Sequence, residues 1–145
     1  MTRSAALALT AAACLGAVST AAARPVAPAP RGGSLSPPAA WVETAGGDRW
    51  LAFSTSCWTR GCIDYISPEM RRDLPRIGVR PGERVVFHLG LEPRALTLRV
   101  GRRSYALPAS GAPSWRVRGG GVVVLQAFAP RGDAAYVARF IIRSR

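Results

Sequence analysis

Apolar and polar positions alternate with period two through most of the C-terminal half of the chain, and turn residues interrupt the alternation every ~8–12 residues. In residues 84–90, Val85, Phe87 and Leu89 fall on one face, with Val86 and His88 on the other. Residues 95–100 alternate in the same way. Gly101-Arg102-Arg103 then turns the chain into 104–107. Residues 114–118 put Trp115 and Val117 inward and Arg116 and Arg118 outward. Gly119-Gly120-Gly121 is a turn, followed by a strand over 122–128, a turn at 130–133 and a strand over 134–142.

Upstream, residues 49–56 read as a first strand running into Cys57. Residues 68–74 suit one helical turn, with Ser67 as N-cap, Pro68 at the first helical position and Pro75 ending it. A short strand over 77–80 leads into a turn at 80–83. The pattern predicts seven or eight short strands and no long amphipathic helix. That combination specifies an antiparallel β-sandwich of immunoglobulin-like type, with a closed barrel as the alternative. The last two strands, long and hydrophobic, belong in the middle of a sheet.

Residues 1–23 read as a secretory signal peptide. Arg3 is the positive start, residues 5–18 are apolar and uncharged, and 19–23 supply small residues at the cleavage spacing. The apolar run falls short of the ~20 residues that span a bilayer, so no transmembrane span is expected in the mature chain. Ala11-Ala12-Ala13-Cys14 partly resembles a lipobox, making Cys14 a candidate lipidation site; the alternative is a small apolar residue inside the signal. Residues 24–40 hold five prolines and two glycines without strand or helix period, as in a disordered linker. Residues 41–145 form the expected domain, secreted or held at the cell envelope.

The chain has twenty Arg and no Lys, a bias that points to a GC-rich genome. Without Arg3, nineteen Arg stand against eight acids, a balance of +11. Such a surface attracts polyanions. No aromatic-basic RNA motif or DNA-binding helix is present, so anionic cell-wall polymers or lipid headgroups are the expected counter-ions rather than nucleic acid.

Val79-x-x-Gly82-Glu83-x-Val85-x-Phe87, then Trp115-x-Val117, then Leu125-x-Ala127-x-x-x-x-Gly132-Asp133-Ala134-x-Tyr136 resembles small Ig-like domains of exported bacterial proteins. The preceding segment, Cys57-Trp58…Cys62-x-Asp64-Tyr65, is similar to a stapled loop in uncharacterised exported proteins of Gram-positive, actinobacterial-like type. The resemblance covers about residues 50–143. It implies the sandwich fold and carries over no catalytic residue. The inter-sheet cysteine pair of antibody domains is absent.

Cys57 and Cys62 are the only cysteines outside the signal. In an oxidising compartment they are expected to pair across a tight loop, a local clamp worth about 2 kcal/mol by loop entropy. The loop offers Trp58 and Arg60 as candidate ligand contacts at its tip, followed by Asp64 and Tyr65, and Gly61 is expected to supply a positive φ. The competing reading is a staple with Trp58 packed on the core edge.

Arg99, Arg102, Arg103, Arg116 and Arg118 form a candidate basic face if their strands align. His88 is the only histidine, and no Cys/His cluster at zinc spacing accompanies it, so no metal or cofactor is expected. The carboxylates Asp64, Glu69, Asp73, Glu83, Glu92 and Asp133 fall mostly in turns beside Arg, and no nucleophile elbow occurs. The sequence therefore reads as a non-enzymatic, monomeric interaction or accessory domain for an unknown protein or an anionic envelope polymer. A binding module for wall polymer or lipid headgroups is the runner-up, and a small hydrolytic or redox enzyme comes third.

Overall fold

The computed structural model describes residues 24–30 and 36–144. The expected signal peptide and Cys14 lie outside the described residues. Among the described residues, eleven strands form two sheets. β1 (Ala40–Glu43), β2 (Arg49–Trp50), β6 (Arg84–Leu89) and β9 (Ser114–Arg116) make a four-stranded sheet in the order β2-β1-β6-β9. The larger sheet runs β4-β3-β11-β10-β7-β8, built from β3 (Ala52–Trp58), β4 (Gly61–Ile63), β7 (Ala95–Val100), β8 (Arg103–Leu107), β10 (Gly121–Ala129) and β11 (Gly132–Ile142). All pairs are antiparallel except that of β5 (Arg76–Val79), which lies parallel to the second half of β11.

The fold is the expected β-sandwich. Val42, Val85, Phe87 and Trp115 from the small sheet meet Leu98, Leu125, Tyr136 and Phe140 from the large one in a single buried cluster. Alternation explains why: each inward side chain is followed by an outward one, so each strand supplies one apolar row. β10 and β11 are central, as their length and hydrophobicity predict, since each pairs on both sides.

The strand count exceeds the expected seven or eight because β1 and β4 were not foreseen and because one apparent strand serves both sheets. The 49–56 run breaks at Leu51. β2 ends in the small sheet, buried Leu51 bonds back to the Ala40 carbonyl (3.0 Å), and β3 begins in the large sheet. The helical turn is also shorter than expected, a 3₁₀ turn over Pro68–Met70. Ser67 does not cap it; its hydroxyl donates to the Glu69 carboxylate instead (2.6 Å). The following residues extend, which lets Leu74 reach the outer face of the large sheet and pack on Val122 and Val137.

Residues 24–30 and 36–39 of the expected linker have no helix or strand. They nonetheless touch the domain. Trp50 Nε1 donates to the Ala27 carbonyl (2.6 Å), and the buried Tyr136 hydroxyl donates to the Pro38 carbonyl (2.6 Å). Among the described residues, no helix is long and apolar enough to cross a membrane.

Candidate functional site

Cys57 and Cys62 are disulfide-bonded and directly opposite one another in the β3–β4 hairpin, with Cα atoms 4.0 Å apart. Trp58 pairs with Gly61, which leaves a two-residue loop of Thr59 and Arg60. A loop of that length takes its positive φ at a central residue. The left-handed residue is accordingly Thr59 (φ 62°), not Gly61 as the sequence suggested. Among the described residues it is the only non-glycine with positive φ.

The hairpin separates the two side chains expected at its tip. Arg60 is exposed there, while Trp58 belongs to β3 and is 5% exposed. The alternation of β3 requires this, because Ser54, Ser56 and Trp58 share the buried face. The Arg131 guanidinium lies 5.5 Å from the Trp58 ring centroid, and the Thr59 amide donates to the Arg131 carbonyl (2.8 Å). The stapled hairpin thus docks on the β10–β11 turn. Asp64 is exposed, and Tyr65 is half exposed beneath Arg71, whose guanidinium lies 5.5 Å from its ring centroid. Arg71 also binds Asp73 through two hydrogen bonds (3.0 and 2.7 Å) and caps the Phe53 carbonyl (2.6 Å). The hydrogen bonds from Arg71 hold the Asp73 carboxyl below its usual range.

The five arginines expected to share one basic face do not share it. β7 and β8 belong to the large sheet and β9 to the small one. Arg99 lies on the outer face of the large sheet, where it pairs with Glu69. Hydrogen bonds from Ser67 and then from Arg99 pull the Glu69 carboxyl from an ordinary 4.5 down to about 2. Arg116 points out of the small sheet and donates to the Gly82 carbonyl (2.8 Å).

Arg102, Arg103 and Arg118 do converge. They line a cleft of about 370 Å³ together with Val100, Tyr105, Trp115, Gly119 and Gly120. The cleft opens between β8 and β9, the edge strands of the two sheets, where the sandwich is not closed by strand pairing. Among the described residues no carboxylate lines it. Among the described residues none of the three guanidiniums makes an ion pair or hydrogen bond, so no described group compensates their charge. Tyr105 and Trp115 form the aromatic wall, with ring centroids 5.5 Å apart. Trp115 is 7% exposed, and its indole N–H has no acceptor.

No family model, curated protein or solved structure matches the chain. The assignment of a site therefore rests on the geometry.

A groove of about 360 Å³ under the stapled hairpin is lined by Trp58, Leu91, Glu92, Pro130 and Arg131 among others. It is mostly apolar, and its one acid and one base offset each other. The aromatic cluster on the outer face of the small sheet was not anticipated. Trp41 stacks on His88 and packs edge-on against Trp50, and Arg24 lies over both tryptophan rings. His88 Nε2 lies 3.1 Å from the Glu43 carboxylate, a diagonal pair across β1 and β6. Among the described residues no three His, Cys, Asp or Glu side chains converge as a metal cluster would require.

Proposed function

We propose that the chain is an exported, non-enzymatic binding domain of immunoglobulin-like type that attaches to an anionic polymer of the cell envelope. The observation that carries this reading is the meeting of Arg102, Arg103 and Arg118 in a cleft that no described carboxylate lines. Guanidinium groups grip phosphate and carboxylate with paired hydrogen bonds, and three uncompensated ones create a strongly positive local potential. The Cys57–Cys62 bond supports an oxidising, extracytoplasmic setting. Co-sedimentation with isolated cell walls tests the reading. Binding should fall as salt rises through ~0.1 to 1 M, since screening shortens the reach of such contacts. Binding that ignores salt, or no binding, refutes it.

A second reading follows from a different surface. Beside the stapled hairpin, Tyr65, Ile66 and Met70 are 48%, 63% and 72% exposed. Apolar side chains grouped this way suit contact with a protein. A pulldown from envelope extract with the wild-type chain and with Ile66→Asp tests it. Equal recovery of every retained protein would remove this reading.

A further inference from the structure

The cleft between the two sheet edges has features that diffuse positive charge does not require. Its three arginines come from separate positions: Arg102 in the β7–β8 turn, Arg103 at the start of β8, and Arg118 just beyond β9. Each leaves its guanidinium free among the described residues. One carboxylate needs one guanidinium for a bidentate pair, whereas three guanidiniums suit a group with several acceptor oxygens and more than one negative charge.

The aromatic wall shapes the cleft. Trp115 is more than nine-tenths buried and lines the cleft, yet its indole N–H lacks an acceptor. That nitrogen is itself closed off from solvent, as is that of Trp41, so it is not offered to the cleft as a donor. Tyr105 shares a face of β8 with Arg103 and packs against Trp115. The cleft thus has a cationic mouth and an aromatic flank, with Gly119 and Gly120 contributing no side chain to fill it. Its volume of about 370 Å³ exceeds what one inorganic phosphate occupies.

We infer that this cleft is a discrete binding site for a phosphorylated polyol, with Arg102, Arg103 and Arg118 holding the phosphoryl oxygens and the rest of the ligand lying along the Tyr105–Trp115 flank. The inference rests on the proposed polyanion reading and sharpens it from a charged surface to a saturable site. The same chemistry is offered by a polyol-phosphate wall polymer and by a glycerophospholipid headgroup.

Calorimetric titration of the purified protein with glycerol phosphate and with inorganic phosphate tests the site. The expected result is saturable one-to-one binding, tighter for glycerol phosphate. Arg103→Gln and Arg118→Gln should each weaken it by about tenfold, the loss of one charge-assisted contact. Arg72→Gln/Arg94→Gln removes charge away from the cleft and should leave affinity unchanged. Absence of saturation, or equal weakening by the Arg72/Arg94 control, overturns the site. In that case wall binding that still falls with salt would leave the broader polyanion reading standing. Vesicles of phosphatidylglycerol supply the second arm. Capture that glycerol phosphate competes away supports the headgroup as one source of the ligand, and capture that it cannot compete away counts against the cleft.

Discussion

Trp41 and His88 stand directly opposite one another across β1 and β6, and their rings stack with centroids 4.7 Å apart and planes 9° from parallel. Trp50, opposite Trp41 on its other side, completes a three-ring row across the outer face of the small sheet. The Arg24 guanidinium lies 5.7 Å from the Trp41 centroid and 5.6 Å from that of Trp50. This row is the dock for the chain preceding the domain. An exposed cation–π contact is worth about 0.5–1 kcal/mol, so Arg24→Ala should barely change the unfolding midpoint. It should instead speed limited proteolysis within residues 24–40 and shift tryptophan emission. Identical digestion of the two proteins would show that the dock does not restrain the segment.

Glu69 ties the 3₁₀ turn to the outer face of the large sheet through Arg99. Its carboxyl titrates at about 2 in the fold against an ordinary 4.5. A depressed folded-state pKa favours the folded state above the unfolded value, and that contribution disappears as pH falls through the folded one. The expected outcome is a loss of stability between pH ~4.5 and ~2 that Glu69→Gln makes shallower. Because Glu69 is solvent-exposed, the difference is a fraction of the full linkage value. Urea midpoints measured for both proteins at a series of pH values check it, and parallel curves would remove Glu69 from the account.

The sequence was most legible where one strand's period decides the answer. Val85 and Phe87 face inward, as do Trp115 and Val117, and Arg116 and Arg118 face outward, as alternation requires. The Cys57–Cys62 bond was legible because the third cysteine, Cys14, falls in the segment read as an export signal. Alternation says which way a side chain points but not which sheet its strand joins. That is why Arg99 and Arg116 were grouped with Arg102, Arg103 and Arg118, although strands of different sheets carry them. The same limit hid the switch at Leu51, the parallel pairing of β5 and the Trp41–Trp50–His88 row, all of which depend on partners distant in sequence. One signal was present for the row: two tryptophans and the lone histidine all fall on strands of the N-terminal half of the domain.

Gly132 opens β11 opposite Trp58 at a point where the β10–β11 turn presses on the stapled hairpin. A Cβ there would sit 1.9 Å from the Cys57 carbonyl oxygen, and the residue has φ +140°. Both the clash and the backbone angle exclude a side chain, and the obstructing atom is backbone that cannot swing away. Gly132→Ala should therefore destabilise the fold by about 3 kcal/mol or more, toward the upper end for single substitutions. Thermal unfolding followed by circular dichroism checks this. A midpoint within about 2 °C of wild type would mean that β3 and β11 part more easily than their pairing suggests.

Thr59 presents the opposite case, a residue whose side chain opposes its backbone. At φ 62° a β-branched residue occupies a region that glycine enters freely. The position is held because the Trp58–Gly61 pair and the disulfide close the hairpin around it and the Thr59 amide bonds to Arg131. Left-handed strain of this kind costs about 1–3 kcal/mol, while glycine adds up to about 1 kcal/mol of unfolded-state entropy. Thr59→Gly should accordingly stabilise the oxidised protein by about 1 kcal/mol and raise its midpoint by about 4–8 °C for a domain of this size. Reduction of the disulfide should shrink that gain, because an unclamped hairpin can relax the turn without the substitution. Midpoints for both proteins with and without reductant test the coupling, and an unchanged gain after reduction would show that the disulfide plays no part in holding Thr59 in place.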